Sequence, residues 1–270
     1  NRIYEYLSVF IMAWMLVYGL TPFIIRMANA LNFVDKPEAR KIHLKSVPLM
    51  GGLSVAIGFV LLCIYDVLIS PGRFFDKPML GYLAGTGIIV LLGLWDDRRG
   101  MKPLVKMFGQ FAVSLVFIVS NFTLAELGLM FGSIYLSLPI MVLWMVGLMN
   151  ALNFLDNMDG IISGMAGILG LGFFAFALIN TTQSNMEAMA LMALISLSFA
   201  GSTFGFLPYN FNPARIFLGD AGSMFIGYFL SSMGILMARY AGNRYNDKFF
   251  YLLPVLLLSY AIFDISLVSY

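Results

Sequence analysis

The sequence predicts an all-α protein that crosses a membrane about nine times, and three observations carry that prediction. Of the 270 residues, 60% are hydrophobic and 11% charged, with a mean hydropathy of +0.88, far above what soluble domains carry. Several apolar runs reach the roughly 20 residues that a helix needs to cross a hydrocarbon layer of about 30 Å. These runs are continuous rather than short and alternating, which selects helices over a β-barrel; in hydrocarbon only those two architectures satisfy the backbone.

The runs fall at residues 4–28, 48–70, 79–95, 104–122, 138–154, 161–180, 187–207, 217–238 and 249–270. Between the fourth and fifth, "LAELGLMFGSIYLS" (124–137) alternates apolar and polar residues about a central Gly-Ser, and this pattern predicts a small hairpin at the membrane surface. No long repeat or low-complexity tract interrupts the chain, so residues 1–270 read as one transmembrane domain. Cys63 is the one cysteine; it supports neither a disulfide framework nor a thiolate metal site and reads as a small buried hydrophobe.

The net charge of +2 says less than where the charges fall. The connections alternate between two sides. One side collects Arg26, Lys36, Arg40, Lys41, Lys45, Arg98, Arg99, Lys102, Lys106 and Arg215; the other collects Arg2, Arg73, Lys77, Arg239, Arg244 and Lys248. The excess predicts that the first side is cytoplasmic. The unusual polar residues, Asp96, Asp97, Asn150, Asn153, Asp156, Asp159 and Asp220, all lie at helix ends on that same side.

Four stretches there carry the chemistry. In "NALNFLDNMDG" (150–160) three Asn and two Asp follow a membrane-length run, and on a helical wheel of about 100° per residue they sweep half the circumference. A helix end emerging into water accounts for Asn157 and Gly160; so many carboxylates and amides point further, to a wet cavity, a bound cation or a basic partner. In "GLWDDRRGMKPLVKMFGQ" (93–110) adjacent Asp96 and Asp97 diverge by about 100°, so they take different roles. The basic residues that follow read either as a solvated turn or, with the other loops, as a phosphate site beside a cation site. In "PYNFNPARIFLGDAGS" (208–223) small residues flank Asp220, which reads equally as the N-cap of the next helix and as a metal ligand. The basic loop "DKPEARKIHLKSVPLMGG" (35–52) holds His43, the one histidine, and taken alone reads as a positive-inside signal or a lipid head-group contact.

Together and in this order, "RKIHLKSVPLMGG", "GLWDD", "NALNFLDNMDG" and "PARIFLGDAGS" resemble the polyprenyl-phosphate N-acetylhexosamine-1-phosphate transferases, a membrane family that includes undecaprenyl-phosphate GlcNAc-1-phosphate transferases and phospho-MurNAc-pentapeptide translocases. The likeness runs over the whole chain and is stronger to the GlcNAc-1-phosphate branch. It implies ten or eleven helices in the inner cell membrane, a cytoplasmic active site, and transfer of a sugar 1-phosphate from a UDP-N-acetylhexosamine to undecaprenyl phosphate, with release of UMP, to initiate a cell-envelope glycan. It implies Mg²⁺, with Mn²⁺ as a substitute. By family match Asp96, Asp97 and Asp156 are catalytic, Asn153 and Asp220 bind metal, and Lys41, His43, Lys106, Asn150, Asp159 and Arg215 bind substrate. Expected partners are the two substrates, membrane lipid and a second copy in a homodimer, but no nucleic acid. Members carry a His-containing loop after the ninth span, and the sequence ends at Tyr270, so the resemblance implies a chain shortened at its C-terminus.

Two other functions fit the composition. A prenyltransferase binds prenyl diphosphate through Asp-rich motifs, which "NFLDNMD" resembles, but has no need of the Arg215–Ser223 loop. An ion-coupled transporter also carries intramembrane carboxylates, but near the bilayer midplane. The reaction itself asks a protein mainly for positioning and charge neutralisation. A phosphate monoester with a second pKa near 6 is already largely dianionic at neutral pH, so direct attack by the lipid phosphate is expected over an aspartyl-phosphate intermediate.

Overall fold

The computed structural model describes residues 2–35, 46–69, 77–245 and 252–259. Helix α1 (Arg2–Ala30) leads into a two-stranded antiparallel ribbon of β1 (Val34–Asp35) and β2 (Val47–Pro48), followed by α2 (Gly51–Ile69), α3 (Lys77–Arg99) and α4 (Pro103–Asn121). After these come the short α5 (Leu124–Met130), then α6 (Ile134–Leu155), α7 (Ile161–Asn180), α8 (Met186–Asn210), α9 (Gly219–Tyr245) and a short α10 (Leu253–Leu257). Seven of these, α1, α3, α4 and α6 to α9, are long and apolar enough to cross a membrane, and α2 adds a shorter apolar stretch, Gly51–Tyr65. The chain is an all-α multi-pass membrane protein. The expected span at 249–270 lies mostly outside the described residues, as do Lys41 and His43.

Helices in lipid associate by close packing, since apolar side chains gain little by leaving hydrocarbon for protein. Glycine is what permits the closest approaches here. A side chain at Gly93 of α3 or Gly52 of α2 would run into the backbone of Ala221 or Gly222 at the start of α9, and one at Gly205 of α8 would strike the Trp14 carbonyl of α1. Gly93→Leu is therefore expected to force α3 from α9 at a cost of roughly 1–3 kcal/mol or more, seen as a lower melting temperature in detergent; an unchanged melt would show that the α3–α9 contact is dispensable.

This packing makes α9 the central helix. Its span is 94% buried and that of α8 78%, against 28% for α1 and α4, so the last two face lipid. Around α9 the rings of Phe59, Tyr82, Phe117, Phe199, Phe225 and Phe229 form one aromatic core, with Phe199 and Phe229 stacked at 3.5 Å. Pro22 inside α1 has no N–H for the Tyr18 carbonyl, four residues earlier. The Tyr209 hydroxyl of α8 donates to that carbonyl at 3.1 Å, so the helix defect becomes an interhelical tie.

Residues 124–137 form no strand pair. The Thr123 hydroxyl accepts from the Glu126 N–H at 3.3 Å and the Glu126 carboxylate accepts from the Thr123 N–H at 2.8 Å, a capping box that opens α5. Thr-x-x-Glu is a helix-start signature, and it prevails over the apolar alternation on which the hairpin expectation rested. Burial opposes the charge of Glu126, but the Thr123 donors and the Arg239 guanidinium hold its carboxyl below the ordinary range. Arg239 also donates to the Asn121 carbonyl at 3.0 Å, fixing the surface helix to α9.

Successive long helices reverse direction, so the C-terminal ends of α1, α3, α6 and α8 meet the N-terminal ends of α2, α4, α7 and α9 on one face. Backbone bonds stitch that face: the N–H groups of Gly51 and Gly52 donate to the carbonyls of Phe217 and Leu218 at 3.0 and 2.8 Å, and the Phe217 N–H donates to Pro48 at 2.8 Å. The start of α2 and the loop before α9, far apart in sequence, are thereby held side by side.

Candidate active site

The site begins where α3 turns into α4. Gly100, with φ of +65°, ends α3 in the left-handed region that glycine tolerates, and Pro103 starts α4. Asp96 steadies the turn, its Oδ1 accepting from the Met101 N–H at 2.6 Å. That leaves Asp96 Oδ2 facing Lys106, one turn into α4, at 2.8 Å.

Asp97 faces another way. Its two oxygens accept the N–H groups of Asp220 and Ala221 at 2.8 and 3.2 Å. Helix α9 starts with unsatisfied N–H groups and a partial positive charge, and a carboxylate from α3 supplies the cap. Gly219, at φ of +71°, makes this close approach possible, because a Cβ there would lie 2.8 Å from Asp97 Oδ2. The cap reading of Asp220 is thus overturned: Asp97 takes that role, and the Asp220 side chain points elsewhere.

It points to α4 and α6. Asp220 Oδ2 accepts from Lys106 Nζ at 2.8 Å and Oδ1 from Asn153 Nδ2 at 2.6 Å. Asn153 Oδ1 accepts from the same Lys106 ammonium at 2.9 Å, and Asn153 Nδ2 also donates to Ser223 at 2.9 Å. Three oxygens from α3, α6 and α9 therefore surround one cationic nitrogen on α4. Among the described residues no group of three or more His, Cys, Asp or Glu side chains is spaced to hold a metal ion; the oxygens converge on the ammonium instead. The donors, two carboxylates and an amide oxygen, are the hard ligands that Mg²⁺ and Mn²⁺ take, and a cation already stands at their focus.

Beside this cluster opens a cavity of about 750 Å³ lined by Asp97, Asn153, Asp156, Asp159, Asn212 and Asp220, among others. Asp156 ends α6 as its C-cap, and among the described residues its carboxyl has no hydrogen-bond donor. Burial, and then the like charges of Asp97, Asp220 and Asp159, raise it well above the ordinary carboxylate range. A carboxyl whose folded value is raised binds more protons in the fold than in the unfolded chain, so stability falls as pH rises above the unfolded value. Asp156→Asn is accordingly expected to raise the melting temperature in EDTA at pH 7.5, by about 2–4 °C for each kcal/mol relieved, and to leave it unchanged at pH 4; equal shifts at both would refute the upward shift of Asp156.

The turn after α6 is also anchored. Asp159 Oδ2 accepts from the Ala214 N–H at 3.0 Å and from Asn212 Nδ2 at 3.1 Å. On the far side of the same loop, Asn210 Oδ1 accepts from Ser163 at 2.7 Å while its Nδ2 donates to the Ile216 carbonyl at 3.1 Å. Arg215 rides on this loop with its side chain exposed.

Residues 79–238 match glycosyl transferase family 4, and that range contains every residue of the cluster just described. The chain is 31% identical over 271 residues to a probable undecaprenyl-phosphate N-acetylglucosaminyl 1-phosphate transferase of Bacillus subtilis, an overlap that takes in 98% of this chain and 71% of that protein. The chain belongs to glycosyl transferase family 4. A decaprenyl-phosphate N-acetylglucosaminephosphotransferase of Mycobacterium leprae is 30% identical over 91% of this chain and 65% of its own length. A phospho-N-acetylmuramoyl-pentapeptide-transferase of Limosilactobacillus reuteri is 28% identical over 54% and 48%.

In this family 4 chain the structure brings Asp96, Lys106, Asn153 and Asp220 into direct contact, with Asp97 and Asp156 alongside. Asn150, expected in the substrate site, is not on the cavity. One turn further from the end of α6, its amide pairs with Gln110 of α4, donating at 2.7 Å and accepting at 3.3 Å. Asp159 lines the cavity but its bonds tie down the loop that carries Arg215. Gln110 and Ser223 went unmarked in the sequence, although each lies three or four positions from Lys106 or Asp220 and so shares a helix face with it. Asp159→Ala is expected to free the loop and raise the Michaelis constant for the donor several-fold with a smaller change in turnover, the signature of lost ground-state binding; a pure turnover defect would instead place Asp159 at the reacting atoms.

Proposed function

We propose that this protein transfers GlcNAc-1-phosphate from a UDP-linked donor to undecaprenyl phosphate at the cytoplasmic face of the cell membrane, releasing UMP and initiating a cell-envelope glycan. The observation that carries this reading is the meeting of Asp96, Lys106, Asn153 and Asp220 from four helices at one end of the bundle, beside a cavity with acidic walls. A lipid-anchored phosphate and a water-soluble nucleotide meet only at that depth, and a transporter needs its carboxylates nearer mid-bilayer. The excess of Lys and Arg on the same side supports a cytoplasmic orientation. A homodimer is part of the proposal and follows the resemblance alone.

In this mechanism Mg²⁺ bound at Asp220 and Asn153 would neutralise the donor diphosphate. Lys106 supplies a second positive charge beside the donor phosphates, and Arg215 adds one at the cavity loop. Asp97 holds the start of α9 so that Asp220 faces the cavity. Both Asp97 oxygens are taken by α9 amides, and the Asp96 oxygens by Met101 and Lys106. With both oxygens held by backbone amides, Asp97 is a poor nucleophile for an aspartyl-phosphate, which supports direct in-line attack by the lipid phosphate.

The test is release of labelled UMP from UDP-GlcNAc by the purified protein with undecaprenyl phosphate and Mg²⁺. A lipid-linked diphosphate sugar must appear in equal amount. Protection by prenyl diphosphates but not by UDP-GlcNAc would favour a prenyltransferase and defeat the proposal.

A further inference from the structure

We propose that Lys106 is an internal stand-in for the divalent cation: its ammonium holds Asp96, Asn153 and Asp220 together in the resting protein, and the incoming cation displaces it toward the substrate phosphate. The inference rests on the proposed divalent site and adds to it a competitor carried by the chain itself.

Three features of the site support it. The Lys106 nitrogen lies 2.8, 2.8 and 2.9 Å from oxygens of Asp96, Asp220 and Asn153, so it occupies a point where oxygens from three helices converge. The Lys106 and Asp96 side chains are only 14% and 10% exposed, so little water is present to screen the pair. Without a cation, the Asp96 and Asp220 carboxylates would face each other unneutralised. Yet Mg²⁺ demands ligand distances of about 2.0–2.1 Å, shorter than those around the ammonium, and a cation drawing the same oxygens inward leaves no room for Lys106. A compact ammonium on a flexible four-carbon stem can leave such a position without backbone movement. The cavity bordered by Asn153 and Asp220 gives it somewhere to go.

The experiment uses the intact protein in detergent, without substrates, and reads Mn²⁺ binding from the loss of the free-ion paramagnetic signal. Lys106→Met is expected to tighten Mn²⁺ binding by about tenfold, the change that about 1.4 kcal/mol of relieved competition produces. In the wild-type protein, Mn²⁺ is expected to speed acylation of Lys106 by an amine reagent several-fold relative to Lys102, read by peptide mass spectrometry. Equal or weaker Mn²⁺ binding by the variant, or labelling of Lys106 that Mn²⁺ leaves unmoved, overturns the inference while the divalent site stands. Absence of saturable Mn²⁺ binding in both proteins overturns the inference and the divalent site together. Should Lys106→Met fail to fold, Lys106→Gln is read the same way, and the labelling experiment needs no variant.

Discussion

Replacing Asp220 by alanine is expected to cut UMP release by about 10³-fold, the scale on which single electrostatic contacts to a developing charge operate, while the protein remains inserted and helical. The second half of that expectation comes from the capping geometry. Because the first amides of α9 are satisfied by Asp97, losing the Asp220 carboxylate leaves the helix start intact. What disappears is the partner that Asn153 and Lys106 share. Asp220→Asn keeps the shape and removes the charge, so it should be nearly as inactive. Normal turnover in either variant, measured at saturating donor and lipid, would remove Asp220 from the mechanism.

Asp97→Ala is expected to damage both stability and rate. A single capping side chain contributes about 0.5–2 kcal/mol, and here one carboxylate serves two amides at the most enclosed helix of the bundle. The melting temperature should fall by about 2–4 °C per kcal/mol lost. Turnover should fall at least about 100-fold, because Asp220 is carried on that first turn and an ångström of misplacement has an effect of that size. Asp97→Asn retains one acceptor and should recover part of the stability. A variant with a wild-type melt but no activity would instead mean that Asp97 acts on substrate directly.

The contrast between these two aspartates marks the limit of what the sequence discloses. Periodicity and length were enough to find the long helices, since a hydrocarbon layer imposes one length on all of them. Asn153, Asp156 and Asp220 were recognisable because polar side chains at membrane helix ends are costly without a purpose. Pairings across the bundle were not recognisable. A local rule gives the cap of α9 to Asp220, its own first-turn residue, whereas the true cap comes from α3, far away in the chain. Asn150 and Asn153 lie about 60° apart on a helical wheel, and no local rule says that Gln110 lies opposite one and Asp220 opposite the other. Around 124–137 the signal was present and outweighed: Thr123 and Glu126 announce a helix, and alternation of apolar residues concealed it.

The enclosed position of α9 has a consequence for biogenesis. It packs against α2, α3, α6 and α7, all of which leave the ribosome before it. Until it arrives, Phe59 and Phe199 lack the Phe229 ring that they pack against, Asp97 has no amides to cap, and Asn153 lacks Asp220. The polar cluster of Asp96, Lys106, Asn153 and Asp220 is thus incomplete until this late segment docks, so assembly of the bundle and assembly of the candidate site are the same event.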